Sequence, residues 1–140
     1  MTTVRCETVT PSAYPVVVHV RAHTFTADVS TTSGGADSAP GPHDYFDAAL
    51  ATCKAQTSMW YAKRHAIPLE RVECVVESDD SHEREGVYSY RVQLTFHGPL
   101  SDEQRVQLHR AAAACPITKL MTTSEIRIET PTQVAMSDAT

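Results

Sequence analysis

The segment His43–His65, HDYFDAALATCKAQTSMWYAKRH, decides how the rest of the chain is read. It holds neither glycine nor proline, is rich in Ala with Met, Lys and Gln among its other helix formers, follows Pro42 and runs out near Ile67-Pro68, so it reads as one long helix. At helical spacing Tyr45, Ala49, Cys53, Gln56 and Trp60 share one stripe; Phe46, Leu50, Thr57 and Tyr61 share another. A helix that is apolar or small on most faces is expected to be central and buried. Ala48, Ala49 and Ala51 would let another backbone approach it closely.

Working outward, Ser30–Pro42 holds three of the chain's five glycines and two of its eight prolines, a composition that predicts a loop without a regular element. Before it, Thr2–Ser30 is rich in Val and Thr. Val16, Val18 and Val20 alternate with Val17, His19 and Arg21, and Thr24-Phe25-Thr26-Ala27 continues the style, which predicts two or three strands in hairpins. After the helix, Leu69–Glu77 alternates Val72, Cys74 and Val76 against Arg71, Glu73 and Val75, and Val87–His97 alternates as its hairpin partner. Ser101, with Gln104 three residues on and Asp102 and Glu103 in the first turn, opens a second helix. A short helix is expected from Pro116 to Met121, a last strand over Ile126–Glu129, and a flexible tail over about 131–140. The order is β-hairpins, long helix, β-hairpin, helix, strand: an α+β pattern in one domain spanning 1–140. So small a chain leaves apolar surface wanting a cover, and a partner subunit is the simplest supplier.

Composition narrows the function. A net charge of −5 leaves no basic footprint for nucleic acid, and 6% aromatics argue against a base-stacking surface. The longest apolar runs, such as Val16-Val17-Val18, fall far short of the roughly 20 residues that span a bilayer. Met1–Cys6 lacks a charged-then-apolar leader, so a cytoplasmic protein with no membrane partner is expected.

Four cysteines, Cys6, Cys53, Cys74 and Cys115, lie far apart with no CxxC, which argues against a structural zinc site or a disulfide scaffold. Cys6 and Cys74 fall on strand patterns and read as a strand-end thiol and a core residue. His19 and His23 would need further ligands to hold a metal, even if they shared a strand face. Cys53 sits within its helix among small residues, and Cys115-Pro116 marks a helix start, where the dipole and free N–H groups favour a thiolate. On the residues alone, two readings stay open: a pair cycling between dithiol and disulfide, or two buried structural cysteines. Tyr45, Phe46, Met59 and Trp60 read as core or dimer interface, or as the walls of an apolar channel.

Ala48–Cys53 followed by Met59–Val72, then Leu100–Arg105, Cys115–Leu120 and Ile126–Glu129, strongly resembles the OsmC/Ohr family of hydroperoxide-detoxifying proteins, over most of residues 15–130. Gly34-Gly35-Ala36-Asp37 and Gly41-Pro42 stand where that family has its glycine-rich entry to the central helix. The resemblance implies an OsmC-like α+β fold assembled as an intertwined homodimer, with sites built from both subunits and no cofactor. It makes Cys53 the peroxidatic and Cys115 the resolving cysteine of a thiol-dependent peroxidase, which takes organic hydroperoxides and is recycled by a thiol or dithiol. An early-strand arginine and an acid at the helix entry accompany the cysteine in the best-characterised branch; Arg21 and Asp44 are the matching candidates, Asp44 standing where that branch has glutamate. The plainer readings are a solvated strand residue for Arg21 and an N-terminal cap for Asp44. The alternative function is a weakly catalytic family member binding a small apolar or thiol ligand at the dimer interface.

Overall fold

The computed structural model describes residues 1–132. Three short strands come first, β1 (Val4–Thr8), β2 (Val16–Val20) and β3 (His23–Ala27), paired antiparallel in the order β1-β2-β3. The two-residue connection of β2 to β3 places Arg21 in the turn, not on the strand as expected. The reason is local: its φ of +50° is the left-handed conformation that a tight hairpin demands and a strand does not. Val20 pairs with His23 and His19 with Thr24, so His19 and His23 point to opposite faces and share no metal-binding side. Only Val18 and Ala27 are buried in this sheet.

The loop that follows is ordered by one carboxylate. Asp28 is buried; its Oδ1 accepts from Val29 N–H at 2.7 Å, and its Oδ2 accepts from Ser38 N–H at 3.0 Å, Ser38 O–H at 2.7 Å and Ala36 N–H at 3.2 Å. The chain wraps so tightly that a Cβ on Gly35 would stand 2.3 Å from the Val29 carbonyl oxygen and 2.8 Å from Asp28 Oδ1. This local satisfaction lets Thr31–Ser33 close a 3₁₀ turn inside a segment whose glycines and prolines predict no regular element.

Helix α1 (Pro42–Arg64) matches the expected long helix within one residue at each end. Its buried seam is Leu50, Lys54, Ser58 and Ala62, an i, i+4 row that neither expected stripe contains in full, while Phe46 and Trp60 are about half exposed in the single chain. The correction has a simple cause. Lys54 and Ser58 are polar by type, but Ser58 O–H donates to the Lys54 carbonyl at 2.8 Å and Lys54 has partners on other helices, so both can be buried.

β4 (Arg71–Asp79) and β5 (Ser89–His97) form the second hairpin, with Val72, Cys74 and Val76 turned inward as their alternation predicts. Helix α2 (Asp102–Ala113) opens on the expected box: Ser101 Oγ accepts from Gln104 N–H at 3.1 Å, and Gln104 Oε1 accepts from Ser101 N–H at 3.0 Å. Helix α3 (Pro116–Thr123) follows at once. The core lies where the C-terminal half of α1 meets the hairpin and α2, and joins Ala62, Ile67, Leu69, Phe96 and Leu108.

Ile126–Glu129 forms no strand in the single chain. Its alternating Ile126 and Ile128 are exposed, and no strand edge among the described residues pairs with it. Apolar alternation identifies a strand only when a neighbour supplies its hydrogen bonds. Of the expected flexible tail, residues 133–140 lie outside the described residues. No helix among the described residues is long and apolar enough to cross a membrane.

The Ser38 and Val29 donors hold the Asp28 carboxyl down from 3.8 to about 2, so the unfolded chain binds the proton more readily than the folded one. Stability contributed by Asp28 is therefore complete above 3.8 and lost as pH falls towards about 2. Thermal melts across that window should show wild type losing stability faster than Asp28→Asn, and parallel curves would contradict this role.

Candidate functional site around Cys53 and Cys115

Two cysteines 62 residues apart in sequence are brought together by helix packing: α1 presents Cys53, and the junction of α2 and α3 presents Cys115. The thiol environments differ. Cys115 is fully buried, whereas Cys53 is half-buried and opens onto a cavity of about 890 Å³ whose walls include Ala49, Trp60, Tyr61, Arg110 and Ile117. Cys53 Sγ lies 3.8 Å from Thr57 Oγ1, one turn along its own helix.

Cys115 is the N-cap residue of α3. Thr118 N–H donates to its sulfur at 3.4 Å, and Thr118 Oγ1 lies 3.0 Å from it. Lys54, next to Cys53 in sequence, reaches the α2–α3 junction; its Nζ donates to the Ala112 carbonyl and to Thr118 Oγ1, each at 3.0 Å. Burial pushes the Cys115 thiol up, but the Thr118 hydroxyl and N–H, the Cys53 side chain and the Lys54 charge outweigh it, and the net shift is downward. A third thiol, Cys74 on the inner face of β4, is pushed up by burial, with Lys54 opposing and Cys115 reinforcing that shift.

The site is held from the other end of α1 by Asp47. Its Oδ1 accepts from Tyr88 O–H at 3.0 Å and Tyr90 O–H at 2.8 Å, and its Oδ2 accepts from Ser78 O–H at 2.8 Å. Burial, with Asp47 beside it, raises the Tyr90 phenol well above its usual range, so Tyr90 remains a hydrogen donor. These bonds pin α1 to the β4–β5 hairpin one and a half turns before Cys53.

The two acid and base candidates sit elsewhere in the single chain. Asp44 Oδ2 accepts from Gly41 N–H at 2.8 Å, capping α1 nine residues before Cys53, or about 13 Å along the axis. Arg21, exposed in its hairpin turn, has no hydrogen bond or ion pair to Cys53 or Asp44 among the described residues. The cations near the thiols are instead Lys54 and, on the cavity wall, Arg110. Neither stood out in the sequence. Arg110 reads as an ordinary residue of the last turn of a helix, and Lys54 as a solvated neighbour of Cys53; the signal available was its place on the Leu50, Ser58, Ala62 row. Among the described residues no cluster of His, Cys, Asp and Glu has the makings of a metal site.

Alkylation of the native, reduced protein should modify Cys53 before Cys74 and Cys115, because burial shields Cys115 and disfavours the Cys74 thiolate. Denaturant should abolish the order. Equal native rates at Cys53 and Cys115, read by peptide mass spectrometry, would contradict the described placement.

Comparison with known proteins agrees with the architecture. The model of the family described as OsmC-like protein matches residues 34–130. No curated protein matches the chain. Among solved structures, an OsmC-like protein from Mycoplasma pneumoniae is 15% identical with a TM-score of 0.69, covering 88% of each chain. An organic hydroperoxide resistance protein OsmC from Legionella pneumophila is 20% identical with a TM-score of 0.63, over 88% of this chain and 90% of that one. The organic hydroperoxide resistance protein OhrB of Bacillus subtilis is 19% identical with a TM-score of 0.58, over 88% and 91%. Such identities speak for the fold alone, whereas the family match spans more than two-thirds of the residues: the chain belongs to the OsmC-like protein family.

Proposed function

We propose that the protein is a thiol-dependent peroxidase that reduces organic hydroperoxides in oxidative-stress defence, with Cys53 as the attacking cysteine and Cys115 as the resolving one. The observation that carries this reading is the pairing of a buried sulfur with a sulfur that opens onto a largely apolar cavity. A cavity of about 890 Å³ walled by Trp60, Tyr61 and Ile117 suits the apolar body of an organic hydroperoxide.

The Cys53 sulfur attacks the distal oxygen; the O–O bond breaks, the alcohol leaves, and Cys53 is oxidised by two electrons to a sulfenic acid. Cys115 then displaces the sulfenic oxygen as water and closes a disulfide, which an external thiol or dithiol reduces by exchange. The influence of Cys53 on the Cys115 thiol supports resolution within one chain.

The reading includes a homodimer. The sheet β1-β2-β3 buries little of its own surface, Trp60 and Phe46 are half exposed, and Ile126 and Ile128 alternate outward on a segment without a sheet neighbour. These are surfaces that a second copy would cover. Arg21 and Asp44 do not approach Cys53 within one chain, so in this reading they act across the dimer. Sedimentation should give twice the chain mass of 15.3 kDa, and a monomer at micromolar concentration would remove this part of the proposal.

The activity is tested by following loss of cumene hydroperoxide with dithiothreitol as reductant. Cys53→Ser should fall to the background rate. Cys115→Ser should retain one fast oxidation per site and stop as a sulfenic acid that dimedone traps. A wild type that consumes peroxide no faster than Cys53→Ser would sink the reading and leave ligand binding in the same cavity as the better account.

A further inference from the structure

A second cavity, of about 390 Å³, lies between α1, the β4–β5 hairpin and α3, and it shares no wall residue with the cavity at Cys53. Its α1 wall is the row Phe46, Leu50 and Lys54, which continues the buried seam of the helix one turn towards the N-terminus. Val92 of β5 and Met121 of α3 add to an apolar lining. The volume falls at the small end of the roughly 300–1,000 Å³ typical of small-molecule sites.

Of the hydrogen-bond donors on this wall, one is unspent. The Tyr88 and Tyr90 hydroxyl protons both go to Asp47 Oδ1, at 3.0 and 2.8 Å, so these two residues offer the cavity ring surface and no free donor. Thr122 O–H donates to the Thr118 carbonyl at 2.7 Å. The Thr118 hydroxyl oxygen lies between Lys54 Nζ and Cys115 Sγ, 3.0 Å from each. Lys54 carries three N–H donors and places two of them, on the Ala112 carbonyl and on Thr118 Oγ1, both neutral oxygens. Among the described residues no carboxylate pairs with it. Lys54 is only 7% exposed, and a buried ammonium without a counter-charge is costly.

We propose that this cavity binds a small monocarboxylate with an apolar body, its head on Lys54 and its body against Phe46, Leu50, Val92 and Met121. The free donor is cationic, which selects an anion. One N–H and one charge suit a carboxylate, whereas a phosphate monoester would bring a second charge and more acceptors than the wall can meet. Further polar groups on the body are disfavoured in the same way, since each would be buried without a partner. Charge also sets the orientation. Asp47, behind Tyr88 and Tyr90, stands seven residues before Lys54, or about 10 Å along the helix axis, so a head at Lys54 keeps clear of it and the apolar body fills the other end. No thiol takes part, so the proposal stands apart from the peroxidase reading.

Equilibrium dialysis of the reduced, full-length protein against radiolabelled phenylacetate should show one site per chain with a Kd below about 1 mM. Phenethyl alcohol and phenethylamine, which keep the ring and lack the carboxylate, should compete at least tenfold more weakly. Lys54→Met should weaken phenylacetate at least tenfold and leave the alcohol unchanged. Thr122→Trp, which fills the cavity from an exposed position, should abolish binding. Capping the accessible thiols, Cys53 among them, with N-ethylmaleimide obstructs the other cavity and should leave binding intact. Circular dichroism identifies a variant that has not folded; the acid–alcohol comparison and the capped protein need no variant and then decide charge and place. Equal affinity for acid and alcohol, a Kd far above 1 mM, or binding lost on capping and kept in folded Thr122→Trp overturns the proposal. Peroxide consumption with and without phenylacetate is scored separately, and its absence sinks the peroxidase reading alone.

Discussion

The Lys54 ammonium is the constraint around which the three helices are arranged. From α1 it reaches the last turn of α2 through the Ala112 carbonyl and the first turn of α3 through Thr118. Ala112 is itself fully buried, so water cannot readily replace the Lys54 donor at its carbonyl. A polar group in such a place must be met by several elements at once, which fixes their relative positions more tightly than apolar contact does. The same bonds set the separation of the two thiol-bearing segments, because Cys53 precedes Lys54 and Cys115 lies between Ala112 and Thr118.

Much of this fold can be read from periodicity, since its elements satisfy local rules. The α1 boundaries follow from Pro42 and Pro68, the β4–β5 hairpin from alternation, and the α2 start from Ser101 and Gln104, each a matter of a few neighbouring residues. What is not legible depends on residues far apart. The order of the Ser30–Pro42 loop comes from Asp28, whose donors lie up to ten residues downstream. Ile126–Glu129 has the composition of a strand, but its pairing belongs to whatever edge meets it, and the single chain provides none.

The candidate site divides in the same way. Cys53 and Cys115 are conspicuous as thiols in small-residue and helix-start contexts, and the fold brings them together. Their charged company could not be read off. Arg21 looks like a strand cation because it continues the alternation from Val16, yet a tight turn claims it; Asp44 looks like a partner for the thiol, yet the free N–H of Gly41 claims it. Lys54 hides because lysine is almost never fully buried, so the sequence alone assigns it to solvent. Asp47 hides for a related reason: its three hydroxyl donors come from β4, from β5 and from Tyr88 just before β5, more than thirty residues away.

The arrangement separates two demands that a single thiol meets poorly. Ionisation is favoured by donors and a cation in a water-poor place, which also blocks a bulky substrate; access requires an open wall, where water screens the charges that would lower the pKa. Here the buried sulfur has the donors, and the half-buried one has the cavity. The cations divide along the same line: Lys54 is engaged by the Ala112 carbonyl and Thr118 at the buried end of the pair, whereas Arg110 stands on the cavity wall that Cys53 shares with Ala49, Trp60 and Ile117.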